Sequence, residues 1–264
     1  MLAIVLAKGN DKLLGALSLQ KSKDFTVYLP TPDPLEADYE AQLVFRHGDW
    51  HQVEEPLLCI LEPGALPGPD FVKEVLNTAK RHPEYNVYHL NLEEGEDFPR
   101  KADAKKLFKL ILTENAQAPL SSFVFRAEPL REKAVQKADG SLYSLPSVFS
   151  MAPVREVSGE KLAWKSSTEE KDPANVERHV MAKLDFFRWT EDFFGDDDYP
   201  LSVRDQLQLF ARELAKLYPS YSAENLKEIM NGFQVAQKNL LRKFRAGRAL
   251  KSALKEREKE LAGL

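Results

Sequence analysis

Short apolar runs alternate with longer amphipathic stretches through the first two thirds of the chain. Leu2–Leu6, Phe25–Leu29, Ala41–Phe45 and Leu57–Leu61 read as strands, and Tyr85–Leu92 alternates as another. Asn10 is placed to cap a helix carrying Leu13, Leu14, Leu17 and Leu19, and Pro30-Thr31-Pro32-Asp33-Pro34 stops the second strand. A helix is predicted from Asp70 to about His82, with Phe71, Val75, Leu76 and Ala79 on one face. Further on, the spacing predicts a helix over 102–113, a strand over 121–126, a short helix over 128–135 and a hairpin of 154–157 with 162–164. Strand–helix alternation at these intervals argues for parallel pairing in an α/β sheet covered by helices.

From about Asp172 the periodicity changes to helix alone. Asn175–Phe194, Ser202–Leu217 and Ser222–Leu261 each carry apolar residues three to four apart, and the polar stretch 166–172 reads as a linker. The expected organisation is an α/β domain over 1–167 and a helical region over 168–264. The second region holds Phe186, Phe187, Trp189, Phe193, Phe194, Leu207 and Phe210. Such side chains left in water invite aggregation, so they pack on one another, on the α/β domain, or in a homo-oligomeric interface.

Composition narrows the class. With 264 residues, 43% of them hydrophobic, the chain can bury a sizeable core. Its net charge of −4 supplies no overall field for nucleic acid, which is not expected as a partner. The single cysteine, Cys59, excludes an internal disulfide and a cysteine-rich zinc cluster, and its strand setting predicts a buried thiol. The apolar start Met1–Ala7 is shorter than a signal peptide and lacks a basic lead-in, and no apolar run reaches the ~20 residues that span a bilayer. The expected location is cytoplasmic, membrane-peripheral at most.

The most informative stretch is Leu57-Leu58-Cys59-Ile60-Leu61-Glu62-Pro63-Gly64, followed by a helix start at Pro69-Asp70-Phe71. Strand, acid-bearing turn and helix in that order resemble the metal-binding turn of family-2 glycosyltransferases, which have the GT-A fold. Leu2–Asn10 is similar to that family's opening strand, and Ala16-Leu17-Ser18-Leu19-Gln20 to its following helix. Ser121-Ser122-Phe123-Val124-Phe125-Arg126 is similar to a late strand ending in Phe-Arg. The resemblance covers residues 1–165. It implies a GT-A-like nucleotide-diphospho-sugar transferase fold with a mainly parallel sheet. It also implies a nucleotide sugar as donor, a surface glycan as acceptor, and binding residues at Lys8, Asn10, Thr31, Asp33 and Glu62.

The departures from the family pattern fall at the functional positions. The family's Asp-x-Asp-Asp is here Glu62-Pro63-Gly64-Ala65, so one carboxylate stands where a divalent cation needs several hard oxygens. No metal or other cofactor is expected, beyond weak Mg²⁺ or Mn²⁺ binding through Glu62. Asp33 stands among prolines, where the family uses an acid to hold the nucleotide's base or ribose. The stretch matching the family's catalytic acid, Gly140–Phe149, contains no acid, and Asp139 just before it is the one nearby candidate for general base. Two functions remain open at this point: sugar transfer without a metal, or a catalytically inactive glycosyltransferase-like binding or scaffold module.

Three other clusters carry less. His47 and His51 flank Asp49 without a third ligand at defined spacing and read as loop histidines. The acids from Glu191 to Asp198 lack calcium-loop spacing and read as a solvated connection. Residues 238–255 hold seven basic residues and no acid, with Leu240, Leu241, Phe244, Leu250 and Leu254 between them. Such a helix suits an anionic lipid surface or a polyanionic partner, and equally a packed helix with a solvated basic face.

Overall fold

The computed structural model describes residues 1–7, 11–29, 42–94, 97–113, 118–137, 142–164 and 173–263. The chain divides into two units, Met1–Ser167 and Thr168–Leu264.

The first unit is built on a sheet of nine strands among the described residues. They are β1 (Leu2–Leu6), β2 (Phe25–Leu29), β3 (Phe45–His47), β4 (Leu57–Leu61), β5 (Ala65–Pro67), β6 (Val87–Leu92), β7 (Lys101–Ala102), β8 (Phe123–Arg126) and β9 (Val154–Trp164). Their order is β3-β2-β1-β4-β8-β6-β9-β5, with β7 also on β9. In the first half β1 runs parallel to β2 and β4, and β2 parallel to β3. β8 then enters antiparallel between β4 and β6, and β6 pairs parallel with β9. Every residue of β1, β2 and β4 is buried, as in strands covered on both faces, and all but Thr26 are apolar or aromatic.

Helices α1 (Asp11–Ser18) and α2 (Phe71–Arg81) belong to one core cluster with that sheet. Leu13, Leu14 and Leu17 of α1 and Phe71, Val72, Val75 and Ala79 of α2 share it with Ile4, Cys59 and Tyr88. Gln20, just past α1, ties the two helices together. Its amide donates to the Gly68 carbonyl at 2.6 Å, and its Oε1 accepts from the Val72 N–H at 3.1 Å. One of the orphan donors at the start of α2 is thereby satisfied. Cys59 is fully buried as expected, and burial pushes its thiol pKa up.

Several boundaries differ from the sequence expectation. The third strand lies at Phe45–His47, two turns of the pleat past the predicted start, and Ala41 is outside the described residues. The expected hairpin at 154–164 is the single strand β9. Gly159, at φ 91°, absorbs an irregularity in its pairing with β6, where the register shifts between His89 and Asn91. The helix predicted over 102–113 is α3 (Ala104–Phe108), capped by Asp103, followed by a π-turn at Lys109–Thr113. α4 (Ala127–Lys133) lies where the short helix was expected, whereas β5, β7 and α5 (Ser144–Ser150) were not anticipated.

The second unit comprises α6 (Pro173–Asp198), interrupted at Gly195, α7 (Val203–Ala215), α8 (Ala223–Asn231), α9 (Gln234–Gln237) and α10 (Leu240–Leu261). Ser202, Ser222 and Asn239 cap α7, α8 and α10, each accepting from a backbone N–H three residues on. The periodic run 222–261 is therefore three helices, since Asn239 starts a new one. Phe187, Phe210 and Phe233 form a stack with ring centroids 4.8 and 4.3 Å apart at its centre. Glu191, expected in solvent, is buried, and its carboxylate accepts the Gln234 and Val235 N–H groups at 3.1 Å each. Burial raises its pKa, while those two bonds pull it down. No helix among the described residues is long and apolar enough to cross a membrane.

Candidate functional site

In an open α/β sheet, the crevice for a ligand lies at the carboxyl ends of the parallel strands. Here those ends are Ala7, Leu29 and Glu62, which follow β1, close β2 and follow β4 on one edge of the sheet. The Ala7 N–H donates to the Leu61 carbonyl at 3.0 Å, and the Gly48 N–H to the Leu29 carbonyl at 2.9 Å, so pairing continues to the rim.

Glu62 begins a tight turn. Its carbonyl accepts the Ala65 N–H at 3.1 Å, Pro63 takes the second place, and Gly64 takes the third at φ 97°. Proline followed by a left-handed glycine is the sequence of a type II turn. The turn carries the chain into β5, which pairs antiparallel with β9. At this turn the chain offers no side-chain oxygen beyond Glu62, and the Glu62 carbonyl is already spent on the Ala65 N–H.

Ser121 governs what remains of Glu62. The antiparallel register of β4 on β8 pairs Cys59 with Val124, and its continuation brings Glu62 opposite Ser121. The Glu62 N–H donates to Ser121 Oγ at 2.8 Å. The Ser121 hydroxyl and N–H in turn approach Glu62 Oε2 at 3.3 and 3.4 Å. Ser121 is fully buried, while Glu62 is half-buried. One carboxylate oxygen is thus tethered to the sheet, while the other has no hydrogen-bond partner among the described residues. The sequence signal for this partner was the Ser121-Ser122 pair, legible as a motif but not as a tether.

Glu62 is the one predicted binding residue that the structure describes. Lys8, Asn10, Thr31, Asp33 and Asp139 lie outside the described residues. The chain on either side of Asp139 is closed by a bridge between Gln136 and Leu142 and by the Tyr143 N–H donating to the Val135 carbonyl at 2.8 Å. α5 follows at once, beginning Ser144-Leu145-Pro146, so this helix start, where the resemblance led to the expectation of a catalytic acid, has no carboxylate. Ser147 within it is buried and bonded to the Tyr143 carbonyl at 2.8 Å, accepting the Val135 N–H at 2.9 Å. His51 stacks on Trp50, lies 3.1 Å from Asp49, and meets Gln136 at 3.2 Å, which links the segment after β3 to the chain just before α5. Among the described residues no group of three or more histidine, cysteine, aspartate or glutamate side chains could hold a metal ion.

A second set of acids gathers at the start of α2. Lys21 bonds Asp70 at 2.6 Å, and Lys73 lies within 3.6 Å of both Asp70 and Glu74. The hydrogen bond from Lys21 lowers the Asp70 pKa. Glu160 stands beside Gly68, where a Cβ would fall 2.0 Å from its carboxylate. Its pKa is raised by burial and then by the fields of Asp70 and Glu74. This Asp70 is the acid of the Pro-Asp-Phe motif, and its partners show it to be fastening α2 to the end of α1.

By structure, the chain is similar to S. aureus TarS 1–349 in complex with UDP-GlcNAc. The TM-score is 0.58 at 12% identity, over 99% of this chain and 91% of that one. The chain shares the mixed α/β, GT-A-like fold of that structure. The UDP complex of the same fragment gives a TM-score of 0.53 at 12% identity, over 100% of this chain and 92% of that one. Against the longer S. aureus TarS the score is 0.55 at 11% identity, and the chain, 98% covered, spans about half (54%) of that protein. No family model matches the sequence, and no curated protein matches it by sequence. Within the GT-A-like frame, the Glu62 turn occupies the end of β4, and the opposing β8 supplies Ser121 as its tether.

Proposed function

We propose that this chain is a glycosyltransferase-like protein that binds a nucleotide-diphosphate sugar across the carboxyl ends of β1, β2 and β4. The observation that carries the reading is the Glu62 turn, seated at the end of a parallel strand in a GT-A-like fold whose solved neighbours hold UDP-GlcNAc and UDP. Glu62 contributes its untethered oxygen to the ligand, with Lys8, Asn10, Thr31 and Asp33 around the nucleotide. A single carboxylate with one oxygen tied to Ser121 is a poor donor set for Mg²⁺ or Mn²⁺, so binding is independent of a divalent cation.

If the chain turns over, the oxygen of an acceptor hydroxyl on a surface glycan attacks the sugar's anomeric carbon. The bond to the diphosphate breaks, the nucleoside diphosphate leaves with that electron pair, and the hydroxyl proton passes to a base, for which Asp139 is the candidate. The start of α5 without a carboxylate favours a second reading, a module that binds the nucleotide sugar and does not transfer it. Calorimetric titration with UDP, GDP and their sugars tests the shared part, and absence of binding to all of them overturns it. Detection of released nucleoside diphosphate with candidate glycans, lost in Asp139→Asn, separates the two readings.

A further inference from the structure

The second unit presents a surface outside the residues proposed above for nucleotide-sugar binding. Helix α10 packs on α7, and its buried residues Ala246, Leu250 and Ala253 are spaced along one stripe. An amphipathic helix satisfied by that contact would be polar elsewhere. Instead Leu240, Leu241 and Phe244 are 85%, 58% and 58% exposed at its start. Of the three, Phe244 lines a groove of about 870 Å³ between α8 and α10, rimmed by Lys227, Lys243, Arg248, Lys251 and Lys255, with Glu258 at its far end. On the adjoining side Arg204, Arg245 and Arg248 line a second hollow of about 460 Å³. None of these three arginines has a carboxylate partner among the described residues. Arg248 instead covers the Phe244 ring, 4.4 Å from its centroid.

We propose that this face of the second unit docks on an anionic lipid surface, with Leu240, Leu241 and Phe244 entering the interface and the cations of 238–255 lying over phosphate headgroups. Three observations select that occupant. The seven basic residues and no acid between Lys238 and Lys255 stand in a chain of net charge −4, so positive charge is concentrated here against the overall balance. A soluble polyanion would satisfy the cations and leave the exposed apolar triplet in water, whereas an interface takes both. A second copy of the chain in an isologous contact would set this cationic face against itself, which like-charge repulsion opposes.

The test is co-sedimentation of the full chain with vesicles of phosphatidylcholine alone or doped with phosphatidylglycerol. The proposal expects partitioning onto the doped vesicles only, weakened by salt, because headgroup attraction is screened. Arg245→Gln and Arg248→Gln should each lower the partition coefficient by about fivefold. Phe244→Ser should lower it by about tenfold. Leu240→Ser is the companion variant should Phe244→Ser shift the melt, since Leu240 is the most exposed of the three. Equal binding to neutral vesicles, or none to either, overturns the proposal. So does full binding by Phe244→Ser and Leu240→Ser with displacement by inorganic polyphosphate, which would make this a soluble-polyanion site. Light scattering that finds a dimer dissolved by Phe244→Ser would make it a contact between copies, and also overturns it.

Discussion

His89, on strand β6, is 1% exposed, and neither ring nitrogen has a hydrogen-bond partner among the described residues. It packs against Phe98 and Phe123, with ring centroids 4.1 and 5.0 Å away, and burial lowers its pKa to about 3. In the unfolded chain the imidazole takes a proton below about 6.5, while the native state refuses it down to about 3, so stability falls as pH is lowered through that window. Linkage for one such group amounts to about 2 kcal/mol between roughly pH 7 and pH 5. His89→Phe should remove that slope, and urea melts of both proteins across the range will measure it. An unchanged slope would mean that the ring takes its proton in the native state as readily as in the unfolded chain. Ser121 gives a second residue-level expectation. Ser121→Ala strips the acceptor from the Glu62 N–H at a buried position and should destabilise by about 1–3 kcal/mol in the same melts. Glu62→Gln keeps that N–H bond, so it should change stability less while weakening nucleotide-sugar affinity in calorimetry.

At the scale of the element, the Glu62 turn decides what the strand end can do. Pro63 and the left-handed Gly64 close the chain back within four residues and send it into β5, so the segment is committed to sheet pairing with β9. A side chain at φ 97° is strained, and Gly64→Ala should lower stability by about 1–2 kcal/mol, read as a shift of the thermal midpoint. Restoring an acid by Gly64→Asp would meet the same strain, and the extra carboxylate should still give at best a weak Mn²⁺ site, because Oε2 of Glu62 stays with Ser121. Micromolar Mn²⁺ affinity in the unaltered chain, abolished by Glu62→Ala, would contradict this account of the turn.

At the scale of the whole molecule, the second unit has its own buried stack of Phe187, Phe210 and Phe233, together with the buried carboxylate of Glu191 capping α9. Its aromatic residues pack on one another, one of the three destinations open from sequence. A fragment of residues 168–264 should therefore melt cooperatively in calorimetry or circular dichroism, and Phe210→Ala in it should destabilise by about 3–5 kcal/mol. A fragment without a cooperative transition would mean that the stack depends on the first unit.

What the sequence determined is everything that follows from local period and local chemistry. The short, predominantly apolar runs at 2–6, 25–29 and 57–61, bounded by turn residues, read as strands covered on both faces, and their alternation with helices argues for parallel neighbours, which β1, β2 and β4 are. The Glu62 turn, the helix after it and the caps at Ser202 and Ser222 are likewise written in adjacent residues. Lys8, Asn10, Thr31, Asp33 and Asp139, read from the resemblance, lie outside the described residues. Tertiary structure decided the contacts between residues far apart in the chain. The Glu62–Ser121 tether spans 59 positions and the Gln20–Val72 cap spans 52. The hairpin read at 154–164 became one strand because β6 was beside it to accept a bulge at Gly159. Glu191 left the solvent because the start of α9 offered two N–H donors. Periodicity reports which side of an element faces an apolar neighbour, but the identity of that neighbour is fixed only when the chain closes on itself.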